Sequence, residues 1–420
     1  MEKDLAFDLI IVGAGMVGAT LACALAESSL RVAVIESERP TDFKSDQAHD
    51  LRVSALNIAS QRIFQNIGAW GGIKSRRYCP YRRMRVWEIE GQGDTTFDCK
   101  DINESVLGHI VENRVVQLAL WERMVQCPNV TLFCPASIKD VDYGTDGSVL
   151  FMDDGSQITG RLLVAADGGN SLVRQSAGIG VQSWGYEQQA LVSYVETAYP
   201  QQDITWQKFV PDGPLAFLPL SGNHASLVWY NWPEEVSRLK GLSDQAFAAE
   251  LYSIFPRDLG EINQVISRAS FPLKRQHALQ YVKQGVALVG DAAHMIHPLA
   301  GQGVNIGLLD AAVLAETLLL AEREHQNIAD ISVLKNYESK RRKHNLTMMT
   351  SMDLLYRVFR QEQLPVKLLR NLGLGLAQRL APAKLKAMEF AMGLERSRLD
   401  QLVLGGGLPQ LAKSKTQAVR

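Results

Sequence analysis

Three glycines and an acid at fixed spacing are the first residues able to do chemistry. Gly13, Gly15 and Gly18 form G-x-G-x-x-G after an apolar run from Phe7 to Val12, and Glu36 closes the unit after Arg31 to Ile35. Glycines so placed let the backbone turn sharply and approach a pyrophosphate at a helix N-terminus, while the acid can accept from ribose hydroxyls. The spacing predicts a dinucleotide-binding unit. Two later segments repeat the logic of an apolar strand ending in an acid beside glycine. In one, Leu162 to Ala166 runs into Asp167 and Gly168. In the other, Val286 to Val289 runs into Gly290, Asp291 and His294, and continues through Pro298, Gly301, Gln302 and Gly303 to Asn305. An Asp at such a turn can accept from ligand hydroxyls, and the N–H groups of the next helix can face phosphate or a developing anion. Asp167 can also be read as a simple helix cap.

These loops need elements to hold them. The alanine-rich stretch after Gly15 predicts a helix to about Ala26, and Ser54 is placed to cap another over 55–67. A stripe of Val115, Val116, Ala119, Leu120 and Val125 predicts a helix over 113–126. Strands are predicted over 129–133, 149–152 and 161–166, with a turn at Asp153-Asp154-Gly155-Ser156. From Gln189 the character changes to short strands over 191–197, 205–210, 216–220 and 225–230, which predict an antiparallel sheet, followed by a helix over 244–255. Beyond Gly303 the chain reads helical almost to Leu394, broken at Pro365 and Pro382, and Gly405-Gly406-Gly407 begins a tail that reads as flexible.

At 420 residues the chain can bury a large core and divide into two or three domains. Its 44 basic and 45 acidic residues nearly cancel, so no global field draws it to nucleic acid. The cysteines Cys23, Cys79, Cys99, Cys127 and Cys134 are odd in number and lack C-x-x-C spacing, which suits packing roles in a reducing compartment. His294 and His297 lack a third ligand at suitable spacing, so no metal is expected, and His294 is expected to pack behind the helix start. No basic leader precedes the first strand, and no apolar stretch reads as long enough to span a bilayer; the expectation is a cytoplasmic protein, with a peripheral contact on the inner membrane left open.

With the three motifs in this order from Asp8 to Asn305, the chain resembles the FAD-dependent aromatic hydroxylases related to para-hydroxybenzoate hydroxylase. The resemblance implies an α/β fold: a Rossmann-like FAD-binding domain with a parallel sheet, interleaved with an antiparallel-sheet substrate domain, plus C-terminal helices. It divides the chain into 1–79, 100–185 and 283–345 for FAD, 80–99 and 186–282 for substrate, and a C-terminal helical region with its tail over 346–420. It implies that Gly13, Gly15 and Gly18 cradle the FAD pyrophosphate, Glu36 the adenosine ribose and Asp291, beside Gly290, the ribityl hydroxyls. Asp167 and Gly168 would serve FAD and NAD(P)H handling, and Arg52 would approach the diphosphate. Asn113, with Gln117 one turn on, falls where many relatives carry Arg or Gln near the flavin. Pro298, Gly301, Gln302 and Gly303 would edge the isoalloxazine as the catalytic group, with Asn305 among the cofactor contacts.

The run from Asp291 to Asn305, Glu112-Asn113 and Ser351-Met352-Asp353-Leu354 are similar to the ubiquinone-biosynthesis hydroxylases. Pro80-Tyr81-Arg82-Arg83 and Arg275-Gln276-His277-Ala278 are similar to the branch acting on demethoxyubiquinol. That family implies ring hydroxylation of a polyprenyl phenol or quinol by O2 and a transiently bound NAD(P)H, through a flavin C4a-hydroperoxide. A sister enzyme acting on another ring carbon, an isoprenoid flavin reductase on the same fold and a flavin-binding assembly subunit stay open. Two readings also stay open for Trp206, Phe209, Phe217, Trp229 and Tyr230, which could line an apolar pocket or fill a core. Arg82, Arg83 and Arg85 read better as a solvated strand face. Lys340, Arg341, Arg342 and Lys343 could rest on an anionic membrane, pack on a partner in a ubiquinone-biosynthesis complex, or form a solvated face.

Overall fold

A computed structural model describes residues 5–88, 94–144, 147–210, 212–255, 261–298, 301–361 and 381–394. Pro365, the glycine-rich tail and residues Leu299 and Ala300 of the third motif lie outside the described residues.

The first apolar run forms the strand Leu5–Val12, buried on both faces from Phe7 onward, at the middle of a largely parallel sheet. It pairs on one side with Val32–Ile35, which leads on to Val130–Phe133, and on the other with Gln157–Ala165, which leads on to Val286–Leu288. Near-continuous Val, Ile and Leu suits strands covered on both sides. The helix Met16–Ala24 packs against helices Asn113–Met124 and Gly303–Arg323. The three acid-and-glycine motifs therefore leave three neighbouring parallel strands at the same end: Val12 is level with Ala165, and Ala165 with Leu288. Ligands of open α/β sheets bind beyond the carboxyl ends of the strands, so this register alone selects the site.

A second, eight-stranded sheet contains the long strands Val181–Thr197 and Ile262–Ala278, then His224–Asn231, Gly213–Pro219, Ile204–Val210, Arg83–Glu88 and Asp94–Asp98, with His294–Met295 at its other edge. It is antiparallel except where Ile204–Val210 runs parallel to Arg83–Glu88. Helices Pro233–Gly241 and Asp244–Ile254 cover one face, burying Val236, Leu239, Phe247 and Leu251 with Trp206, Phe217 and Trp229. Those three aromatics are core. Tyr230, one residue on from Trp229, faces the other way, as the two-residue period of a strand requires. Phe209 stacks on Phe359, ring centroids 3.8 Å apart.

Several local expectations need correction. Ser54 lies inside a strand, Val53–Asn57, paired with Gly108–Glu112. The helix after it begins at Ile58 and is capped by Asn57, whose side chain accepts from Ser60 N–H at 2.9 Å. β-branched Val53 and the pairing partner outweigh the cap signal, and Asn is an equally good cap. The first helix stops at Ala24 rather than Ala26. Helix Gly303–Arg323 is long and apolar enough by length and composition to cross a membrane, with a mean hydropathy of 1.7, but 83% of that stretch is buried inside the protein, where it serves as a core helix.

Candidate functional site

The first glycine turn is closed so tightly that only glycine fits. Gly13 has φ +99°, and a Cβ there would lie 2.5 Å from the Ala166 carbonyl oxygen; one on Gly18 would lie 1.9 Å from that of Gly13. A Cβ on Gly15 would meet nothing within 4 Å, so the backbone between them faces open space at the start of a helix that no side chain caps. Uncapped N–H groups beside an open backbone are what an anionic pyrophosphate requires. Glu36 follows the strand Val32–Ile35 and is half-buried. Its Oε2 accepts from Ala14 N–H at 2.6 Å, and its Oε1 from Ser37 N–H at 2.8 Å. Oε1 also accepts from Ser37 Oγ at 3.1 Å and Glu38 N–H at 3.2 Å, so the acid locks the glycine turn to its own loop and Oε2 is the oxygen with a lone pair left for a ribose.

The second motif divides the two roles considered for Asp167. Ser171 caps the next helix, accepting from Arg174 N–H at 2.9 Å. Asp167 Oδ2 accepts only a long bond, 3.3 Å, from Val173 N–H, and its Oδ1 is buried with no partner among the described residues. A buried carboxylate oxygen without a donor is costly and points to a missing hydroxyl or N–H. Gly168, at φ +80°, has open space where a Cβ would be. Arg174, itself buried, donates to the Ala292 carbonyl at 3.0 Å and so ties this motif to the third.

In the third motif, Gly290 has φ +59° and packs on Val17 of the first helix. Asp291 is exposed by area, yet burial raises its carboxyl above the ordinary carboxylate value, against an opposing pull from His294. A side chain that solvent can reach but protein surrounds stands on the floor of a cleft, and the exposure decides that a ligand can reach it. Pro298 and Gly301 form a turn closed by Gly301 N–H donating to the Pro298 carbonyl at 3.1 Å. Gly301 is at φ +62°, and a Cβ there would lie 3.1 Å from that of Ala55. Gln302 is buried, and Gly303 opens a 21-residue helix that no side chain caps, with open space where its Cβ would be.

Asn305 has no exposed surface, and its amide is consumed by protein: it donates to the Ala55 and Gly301 carbonyls at 2.8 and 3.0 Å and accepts from Asn57 N–H and Ser60 Oγ. Its side chain braces this helix against the strand Val53–Asn57. Arg52 is exposed, and its carbonyl accepts from Asn113 N–H at 3.0 Å. Asn113 Oδ1 accepts from Ser54 Oγ at 2.7 Å, and Gln117 lies half-buried one turn on. Arg82, Arg83 and Arg85 pair with Asp203 and Asp94 at the surface.

Behind the third motif lies a group that sequence reasoning missed. Asp310 is fully buried; its Oδ2 is 2.5 Å from His294 Nε2 and accepts from Gly290 N–H at 3.2 Å, while its Oδ1 accepts from Arg341 Nε at 2.7 Å and Asn345 Nδ2 at 2.9 Å. Burial alone would raise this carboxyl, but His294 and Arg341 beside it hold it below the usual range. The signal was Asp310 as the one acid in the otherwise apolar stretch 306–315, and Arg341 was hidden in what read as a surface charge run. Taken together, the open glycines, the orphaned Asp167 oxygen and the cleft-floor Asp291 fit a ligand with a diphosphate and a hydroxylated chain, as FAD has.

The family model for the FAD binding domain matches residues 6–351. The chain is 42% identical over 387 residues to a 3-demethoxyubiquinol 3-hydroxylase of Escherichia coli, covering 92% of this chain and 98% of that protein. It is 40% identical over 393 residues to the ubiquinone hydroxylase UbiL of Rhodospirillum rubrum, covering 93% and 91%. Among solved structures, p-nitrophenol 4-monooxygenase PnpA of Pseudomonas putida superposes with a TM-score of 0.73 at 19% identity, covering 93% of this chain and 99% of that one, a likeness of fold.

Proposed function

We propose a function for a chain that belongs to the FAD binding domain family: FAD-dependent hydroxylation of the aromatic ring of a polyprenylated phenol or quinol in ubiquinone biosynthesis, with O2 and NAD(P)H as co-substrates. Hydroxylation of demethoxyubiquinol is the favoured ring chemistry, supported by the 42% identity that spans nearly the whole of the E. coli enzyme. The observation that carries the reading is the register placing three acid-and-glycine loops at the ends of three adjacent parallel strands.

Bound FAD supplies the acceptance of hydride from NAD(P)H and the activation of O2. Gly13, Gly15 and Gly18 would bring backbone close to the diphosphate of FAD, with Arg52 to approach it; Glu36 and Asp291 would accept from the ribose and ribityl hydroxyls, Asp167 with Gly168 would complete the second loop, and Asn113 and Gln117 would serve the flavin. Pro298, Gly301, Gln302 and Gly303 present a helix N-terminus where negative charge develops, a favourable place for an anion. The face of the second sheet opposite helices Pro233–Gly241 and Asp244–Ile254, where Tyr194 and Leu220 pack with Ile58, Tyr81 and Ile110, would shield the reacting ring from water. On this reading residues 1–79, 100–185 and 283–345 hold FAD, 80–99 and 186–282 form the substrate side, and 346–420 form a C-terminal region. Exposed Lys343, Leu346, Leu354 and Leu355 of helix Ile331–Arg360 suit a peripheral contact with an anionic membrane.

The test is mass analysis of the quinone intermediate that accumulates when the protein is absent, joined to in vitro turnover under isotopically labelled O2. Accumulation of demethoxyubiquinone and one labelled oxygen atom in the product are expected. Reduction by NAD(P)H that yields only hydrogen peroxide with every polyprenyl phenol or quinol offered would overturn the reading.

A further inference from the structure

We propose that Glu112, with Arg77 and Arg114, is a positioning residue for the flavin: the three hold the loop over 44–52 so that Arg52 at its end meets the diphosphate, an inference that rests on the FAD contacts proposed above. Residues 44–52 form no helix or strand, and regular structure resumes at Val53. A side chain on such a segment is placed only as well as its backbone is held. Arg52 needs that support, because it is exposed and its guanidinium has no hydrogen bond or ion pair among the described residues. Three residues on, Ala55 lies where a Cβ on Gly301 would come within 3.1 Å of it, so the loop leads toward the helix start assigned to the flavin.

The bonds that hold the loop come from three charged side chains of other segments. Arg77 donates through Nη1 to the Gln47 carbonyl at 2.7 Å and through Nη2 to the Ala48 carbonyl at 3.3 Å. Glu112, the last residue of the strand Gly108–Glu112, accepts on Oε1 both from Asp50 N–H at 2.9 Å and from Arg77 Nη2 at 3.0 Å. Arg114, in the first turn of helix Asn113–Met124, grips the Asp50 carboxylate with two nitrogens, Nε lying 2.8 Å from Oδ2. Asn113 N–H then donates to the Arg52 carbonyl at 3.0 Å. The dipeptide Glu112-Asn113 therefore meets the loop twice, at Asp50 and at Arg52.

Stability is a poor reason for this arrangement. Glu112 is 2% exposed, and a buried ion pair adds little over an apolar pair of the same volume. What Glu112 and Arg77 supply, and two apolar side chains would not, is a set of directed bonds to the loop backbone on either side of residue 49. The Arg77 guanidinium also lies over the Phe43 ring, 4.9 Å from its centroid, so the pair is anchored just before the loop as well as within it. The outcome is an irregular segment with a fixed path that ends in an unpaired cation.

The experiment strips full-length protein of flavin, reloads it with FAD and reads Kd from flavin fluorescence, in wild type and in variants checked for folding by circular dichroism. Arg52→Ala should raise Kd by about 10-fold, the loss of one charge-assisted contact. Glu112→Ala should raise it by a comparable factor. The double variant should bind no more weakly than Arg52→Ala alone, because no guanidinium remains to be positioned, whereas independent effects would multiply to about 100-fold. Glu112→Gln keeps an acceptor toward Asp50 N–H and Arg77 and should bind FAD as wild type does. Should Glu112→Ala fail to fold, the half-buried Asp50→Ala replaces it, losing the grip of Arg114 with the same non-additivity toward Arg52→Ala. Unchanged Kd in Arg52→Ala or in the loop variant, multiplying effects in the double variant, or a loss in Glu112→Gln equal to that in Glu112→Ala overturns the inference. FAD binding with the expected non-additivity in a protein that hydroxylates no polyprenyl phenol or quinol overturns the functional reading and not this inference; wild type that takes up no FAD overturns both.

Discussion

At the scale of single residues, the glycines make the sharpest statement. Gly18→Ala puts a methyl group 1.9 Å from the Gly13 carbonyl oxygen, a separation that no rotamer can relieve because both partners are backbone. The turn must open, and flavin content after purification should fall well below one per chain. Asp291→Ala removes an acceptor on the cleft floor without burdening the core; loss of FAD with an unchanged circular dichroism spectrum is expected, and retention of stoichiometric flavin would remove Asp291 from the site. Both residues stand out in the chain because their demands are local: a close approach of backbone at Gly18, an acid at the end of a strand at Asp291. Asp310 was not legible in this way, because its partner Arg341 lies 31 residues along the chain, on another helix.

At the scale of elements, the long helix Ile331–Arg360 is fastened to the flavin-side loop through Arg341 and Asn345, which meet Asp310 together with His294. Arg341→Met leaves Asp310 buried beside a poorer set of donors and should cost about 3–5 kcal/mol in urea unfolding, the range for breaking a buried pair from one side. Asp310→Asn in the same background should recover part of that loss, since the uncompensated charge goes with it. Helices and strands were mostly legible from periodicity. Ser54 was misread because a cap signal is one side chain deep, whereas the edge strand that contains it is decided by Gly108–Glu112 some fifty residues later.

At the scale of the whole molecule, acid should loosen the fold. His109, His277 and His297 are buried and pushed down from 6.5 to about 4, in each case chiefly by desolvation. The unfolded chain binds protons at these rings first, so their contribution to stability is fully present above about pH 6.5 and is lost as pH falls toward 4. Thermal midpoints measured across that window should decline with falling pH; a flat profile would mean that these rings are solvated. At the surface, Lys340→Gln with Lys343→Gln should weaken binding to anionic vesicles by about 30-fold at roughly 1 kcal/mol per charge. Equal binding would leave these lysines a solvated face. Arg341 is left out of that test because it is buried.

The sequence alone determined the kind of ligand and the order of the three acid-and-glycine loops, because glycine turns and strand-end acids act through backbone geometry within a few residues. Only the tertiary structure decided that the three strands are neighbours, that Trp206, Phe217 and Trp229 are core while Tyr194 and Ser226 share an inward face, and that one arginine of a basic run is an internal strut. Those outcomes depend on which distant segment pairs with which, and sheet register and burial are fixed by the packed whole rather than by any stretch of the chain.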